Sequence, residues 1–96
     1  MYRPLPDSLT IKQSNIEGIG LFTTKFIKKN TTLGISHYEF NNTYIRTPLG
    51  GFYNHSNNPN CIKEKRMNGG YYILKTLKDI KQDDEITVKY TFYNIN

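Results

Sequence analysis

A mostly β protein, with many short strands and long turns, is the fold class this sequence predicts. Three observations carry that expectation. Short segments alternate apolar and polar residues, as in Leu9-Thr10-Ile11-Lys12 and Ile86-Thr87-Val88-Lys89-Tyr90. Asn68-Gly69-Gly70 separates two further strand candidates, and these residues tolerate the positive φ of a tight hairpin. No window of about a dozen residues repeats apolar side chains at i, i+3 and i+4, the pattern an amphipathic helix requires.

Taken in order, Pro4 and Pro6 keep the first residues extended or irregular. Leu9–Lys12 is a strand, Ser14–Gly20 a loop and Leu21–Thr24 a second strand. Phe26-Ile27 leads into the turn Lys28-Lys29-Asn30. In Thr32–His37 the alternation places Leu33, Ile35 and His37 on one face. Tyr38–Pro48 is polar and irregular. Gly50–Cys61 reads as a long turn, because Gly, Asn, Ser and Pro suit tight backbone geometry and offer many hydrogen-bonding groups. Ile62–Met67 and Tyr71–Leu77 flank the hairpin, Leu77–Ile80 is a connecting turn, and Ile86–Tyr90 is the last strand.

The totals bound the function classes. At 96 residues the chain is expected to form one domain with a modest core, supplemented by eight Tyr and five Phe. The net charge of +5 favours acidic partners. Its longest basic run, Lys63-Glu64-Lys65-Arg66, is interrupted by an acid and reads as a solvated face. The single cysteine, Cys61, excludes an internal disulfide and a cysteine-rich zinc cluster. No apolar run approaches about 18 residues and the N-terminus lacks an apolar signal core, so an intracellular protein away from membranes is expected.

Simple catalytic patterns are absent. His37, His55 and Cys61 match no common zinc spacing, and no metal is expected. Ser56 adjoins His55, but chain neighbours rarely face each other and no nucleophile elbow surrounds it. Cys61 reads as a small buried hydrophobe. Gly18-Ile19-Gly20 alone reads as a turn, since no helix follows it.

In combination the motifs say more. Gly18-Ile19-Gly20, then Phe52-Tyr53-Asn54-His55-Ser56-Asn57-Asn58-Pro59-Asn60-Cys61, then Asp84-Glu85-Ile86-Thr87-Val88-Lys89-Tyr90 occur in the order seen in the SET-domain protein lysine methyltransferases, which this chain resembles from about Leu9 to Tyr93. It is most similar to the compact, free-standing viral and bacterial members. The resemblance implies a β-clip fold of several small sheets. It also implies a knot-like threading of the C-terminal segment under the loop that carries the central motif. The whole chain, 1–96, would be one minimal SET domain without zinc-binding segments before or after it.

The resemblance also implies roles. Gly18, Ile19 and Gly20 would contact the methionine part of S-adenosylmethionine, Asn54 and His55 would hold its amino group and adenine, and Tyr90 would be the catalytic tyrosine. The reaction would be methyl transfer to the ε-amino group of a lysine in a protein or peptide. Such a transfer needs alignment of the two reactants and a neutral amine in a dry channel. Tyr38, Tyr44, Tyr53, Phe92 and Tyr93 are candidates for the channel walls, where aromatic faces suit an ammonium. Asn30 and Asp83 stand at turns that relatives fill with Gly, and both residue types tolerate left-handed backbone. Lys89 replaces a common Asp on the face opposite Tyr90. The short Tyr38–Leu49 segment leaves room for a second subunit to complete the substrate groove. Two other readings stay open: a SET-like module that binds cofactor or peptide without turnover, and a small basic β protein that binds nucleic acid. Nucleic acid is disfavoured, because it leaves the order of the motifs unexplained.

Overall fold

In a computed structural model of the chain, residues 5–66 and 70–89 are described. Two strands near the N-terminus, β1 (Leu9–Gln13) and β2 (Ile19–Thr23), pair antiparallel, with Leu9 opposite Thr23 and Gln13 opposite Ile19. β2 therefore begins inside the expected Ser14–Gly20 loop. Its other edge is taken by residues 83–86: Thr23 N donates to Asp84 O at 2.9 Å and Ile86 N to Leu21 O at 2.7 Å.

The remaining strands are β3 (Thr32–Phe40), β4 (Thr43–Arg46), β5 (Asn54–His55), β6 (Cys61–Arg66), β7 (Tyr71–Thr76) and β8 (Thr87–Val88). They form one sheet in the order β4-β3-β7-β6-β8-β5. β4, β3, β7 and β6 are antiparallel neighbours, whereas β8 runs parallel to both β6 and β5. β6 and β7 lie on either side of the expected Asn68-Gly69-Gly70 hairpin. Because β8 sits between β5 and β6, the connection between those two strands, residues 56–60, must pass across it. This is the crossing expected of the C-terminal segment.

The stretch 38–48 is regular rather than irregular. β3 continues to Phe40 and turns into β4 through Asn41 and Asn42, whose φ values are +50° and +64°. Two left-handed residues joining antiparallel strands make the turn whose twist matches a hairpin, and Asn is the best non-glycine residue for it. A single helical turn, α1 (Pro48–Gly51), follows. Thr47 caps it, accepting from Gly50 N at 3.3 Å, and Pro48 opens it where a missing N–H costs nothing. Gly50 is required there: a Cβ would meet the Ser36 carbonyl and, at 3.0 Å, His37 Cε1.

The alternation expected in β3 is broken. Irregularities between Thr32 and Gly34 and between Ile35 and His37 shift its register against β7. Leu33, Ser36 and His37 are consequently buried, while Ile35 is only half-buried. The left-handed positions Asn30 (φ +66°) and Asp83 (φ +69°) are as expected. The core gathers Leu9, Leu21, Ile27, Leu33, Leu49, Tyr53, Cys61, Leu74, Ile80, Ile86 and Val88 from every part of the chain. Among the described residues no buried side-chain polar atom lacks a hydrogen-bond partner, and no helix is long and apolar enough to cross a membrane.

Candidate functional site

The three sequence motifs meet at one carboxylate, that of Glu85. The loop 14–18 is closed by Ser14, whose backbone N donates to Gly18 O at 2.7 Å and whose Oγ accepts from Ile16 N at 2.8 Å. Gly18 takes φ +52°, which a side chain would strain. The Ser14 hydroxyl also reaches both Glu85 oxygens, at 2.9 and 2.7 Å. From the central motif, Asn54 Nδ2 donates to Glu85 Oε2 at 2.7 Å, to Ser14 Oγ at 3.1 Å and to Glu17 O at 3.2 Å. Gly20 completes the junction, because a Cβ on it would run into the Glu85 carboxylate and lie 3.1 Å from Ser14 Cβ. The glycine thus serves close approach, which the bare Gly-x-Gly pattern could not reveal.

Asn60 fastens the same junction from below. Its Nδ2 donates to Glu85 O at 2.8 Å, its Oδ1 accepts from Thr87 N at 2.9 Å, and its backbone N donates to Thr87 Oγ1 at 3.2 Å. Asn54 lies opposite Thr87 and His55 opposite Val88 in the β5–β8 pairing, and Ser56 N donates to Val88 O at 3.2 Å. The His55 ring nitrogen Nε2 is 3.2 Å from Asn57 Oδ1.

Three residues of this junction were not expected as functional: Ser14, Glu85 and Asn60. Glu85 and Asn60 lie within motifs already noted, but only the fold shows that they hold those motifs together. Ser14 carries no local signal, since its partner is 71 positions away.

What the junction offers a ligand can be read from the groups left over. Three acceptors surround Asn54 Nδ2, which fixes the orientation of the amide. Its Oδ1 accepts no hydrogen bond from the described residues and remains open to a donor. On the 14–20 segment that Asn54 reaches, Ile19 is 55% exposed and Ile16 53%, which leaves apolar surface on the same loop. An acceptor, a carboxylate and an apolar surface suit a cationic, partly apolar molecule. These acceptors therefore fit the ammonium of the expected cofactor.

Of the proposed channel walls, the described residues Tyr38 and Tyr44 do not share one surface. Tyr38 pairs with Ile45 and Tyr71, whereas Tyr44 pairs with Glu39, next to the His37–Arg46 and His37–Tyr72 pairs. Opposed residues share a face and the faces alternate, so Tyr38 and Tyr44 point to opposite sides of the sheet. Tyr38 packs edge-on against Tyr71 at 6.4 Å and Tyr44 against Tyr72 at 5.8 Å. Burial, and then the hydrogen bond with Tyr44, push the Tyr72 hydroxyl up to about 12. Tyr53 is a core residue, 9% exposed, edge-on to His37 at 6.4 Å. Tyr90, Phe92 and Tyr93 lie outside the described residues.

Tyr53 has an unexpected neighbour. Lys63 Nζ is 6.0 Å from its ring centroid, so the first member of the basic run turns inward rather than into solvent. Burial lowers Lys63 to about 8. Burial also lowers His37 to about 4, helped by Lys63 and Arg46. The imidazole is therefore neutral near pH 7, with its Nδ1 3.0 Å from Ser36 Oγ. Cys61 is buried and its thiol is pushed up to about 12 by burial, as befits a packing residue rather than a nucleophile. Among the described residues no three of His, Cys, Asp and Glu gather to hold a metal ion.

Comparison with known proteins places this geometry. No curated protein sequence matches the chain. Among solved structures it is similar to that of a Plasmodium falciparum protein described as a candidate histone methyltransferase. The TM-score is 0.74 and the identity 27%, over 90% of this chain and 95% of the other. The SET domain family model matches residues 36–91, which hold the central motif and the Glu85-Ile86-Thr87 segment. A family match over more than half of the chain, on a fold shared with a methyltransferase-like structure, makes this protein a member of the SET-domain methyltransferase family.

Proposed function

We propose that the protein transfers a methyl group from S-adenosylmethionine to the ε-amino group of a lysine in a protein or peptide. The observation that carries this reading is the meeting of Gly18–Gly20, Asn54 and Glu85 at one junction with an open acceptor. The cofactor, when bound, supplies an electrophilic methyl group on a positive sulfur.

The chain's own groups have separable tasks. Asn54 Oδ1 accepts from the cofactor's ammonium, and the Glu85 carboxylate favours positive charge nearby while holding Asn54 in place. The backbone of Gly18-Ile19-Gly20 approaches the methionine part, and Ile16 and Ile19 cover apolar surface. His55 contributes through β5, which β8 holds in register. Tyr90 follows Val88 by two residues, and its hydroxyl aligns the acceptor amine. Alignment of a neutral amine in line with the methyl supplies most of the acceleration.

The test is incubation with methyl-labelled S-adenosylmethionine and a lysine peptide library. Label should enter lysine side chains with the wild-type protein and fall at least about 100-fold with Tyr90→Phe. Equal labelling by the two proteins would contradict the role given to Tyr90. Saturable cofactor binding without any labelling would favour the non-catalytic module.

A further inference from the structure

We infer that a groove remote from the Glu85 junction, between residues 6–8 and 25–31, is a docking site for an acidic polypeptide segment that carries a large apolar side chain. The groove is a cavity of about 460 Å³. Pro6, Phe26 and Ile27 form its apolar lining, and Lys25, Lys28 and Asp7 are its charged residues. This volume accommodates a large side chain with neighbouring backbone.

Two observations define the occupant. The first is an aromatic ring kept in water: Phe26 is 54% exposed at the groove, although the core is short of apolar residues. The second is charge. Ile27 and Ile80 form an antiparallel bridge, with Ile27 N donating to Ile80 O at 2.9 Å and Ile80 N to Ile27 O at 2.8 Å. The bridge sets the segment holding Lys25, Lys28 and Lys29 against the one holding Lys78 and Lys81. All five lysines are exposed, and none makes an ion pair among the described residues. Asp7 in the lining, Asp79, whose Oδ1 accepts from Lys29 N at 2.8 Å, and the Asp83-Asp84 turn, where Asp84 N donates to Lys81 O at 3.2 Å and Asp83 pairs with Lys12, oppose them locally. At the hollow itself Lys25 and Lys28 outnumber Asp7, with Lys29 next to Lys28, so the rim of this apolar hollow is basic.

A polypeptide fits this arrangement better than a nucleic acid. The surface is concave and takes a side chain, whereas single strands stack bases on exposed aromatic platforms. Among its described residues the cluster holds lysine but no arginine, the residue whose fork suits phosphate. The groove also lies beyond the Thr23 end of β2. Within β2, Gly20 and Thr23 are about 10 Å apart along the extended strand.

Fluorescence anisotropy without cofactor tests the inference independently of methyl transfer. The probes are a labelled peptide of alternating Asp and Glu around one Phe, its Asn/Gln isostere, and a single-stranded RNA of equal charge. The acidic peptide should bind saturably and its isostere at least about 10-fold more weakly. Lys25→Glu with Lys28→Glu should weaken binding about 10-fold or more, and Phe26→Ala about 3-fold or more. Lys65→Glu with Arg66→Glu, away from the groove, should leave binding unchanged. Circular dichroism of each variant separates lost binding from lost fold. Failure of the acidic peptide to saturate, equal binding of the isostere, equal or tighter binding of the RNA, or wild-type affinity in folded groove variants would overturn the proposal.

Discussion

The Glu85 junction and the β3–β4 hairpin are both rich in polar and turn-forming residues, yet they are built on different scales. In the hairpin, Asn41 and Asn42 supply the turn, and Tyr38 and Tyr44 pack edge-on against Tyr71 and Tyr72 within the same sheet. In the junction, partners lie 31 and 71 positions apart in sequence, and one carboxylate serves both. Local structure of the first kind tolerates substitution, because each piece carries its own determinants. A junction of the second kind fails as a unit, since losing one partner strands the others.

The largest effect should come from breaking the junction at its centre. Glu85→Ala is expected to cost about 2–4 kcal/mol, read as a lowered urea midpoint, because it removes the shortest of the three acceptors of Asn54 Nδ2 and the acceptor of the Ser14 hydroxyl. Gly20→Ala alone should cost about 1–3 kcal/mol, since its methyl overpacks the carboxylate. In the Glu85→Ala background that cost should largely vanish. Strict additivity would show that Gly20 and Glu85 do not interact.

Next comes pH, acting on the buried part of the strand whose outer end is the hairpin. His37 titrates at about 4 folded against 6.5 unfolded, so the unfolded chain binds the extra proton first as pH falls. Stability is then full above about pH 6.5, declines between 6.5 and 4 by up to about 3 kcal/mol, and this contribution is flat below. Urea midpoints at pH 7 and 4.5 measure it, and His37→Asn should remove most of the difference.

Asn60→Ala should cost about 2 kcal/mol, because Glu85 O and Thr87 N both lose a partner where β8 passes the 56–60 connection. Hydrogen exchange of the Ile86–Val88 amides should rise with it. The smallest effects belong to the hairpin: Tyr44→Ala should cost about 1 kcal/mol or less and Asn42→Gly less than about 0.5. A hairpin variant as damaging as Glu85→Ala would erase the contrast between the two regions.

The same contrast explains what was legible in the sequence. Alternation and turn residues predicted β1, β6, β7 and the last strand, because strands advertise themselves locally. The hairpin was legible too, in Asn41-Asn42, but a run of polar residues masked it as irregular chain. The bulges in β3 moved Ser36 inward against the alternation, a consequence of packing that no local pattern encodes. Lys63 read as solvated because its charge was weighed and its inward register was not. The candidate site was legible as three motifs and opaque as an arrangement. Ser14 has no local signal, and the faces on which the candidate wall residues Tyr38 and Tyr44 lie depend on a pairing register the sequence does not display.

The central claim is that the Glu85 junction is a cofactor site. Isothermal titration of the intact protein with S-adenosylmethionine tests it most directly, alongside Asn54→Ala and the hairpin variant Tyr38→Ala. Saturable one-to-one binding by the wild-type protein is expected, with at least about 10-fold weaker binding by Asn54→Ala and unchanged binding by Tyr38→Ala. Absence of binding at high micromolar cofactor, or binding that Asn54→Ala leaves intact, would contradict it.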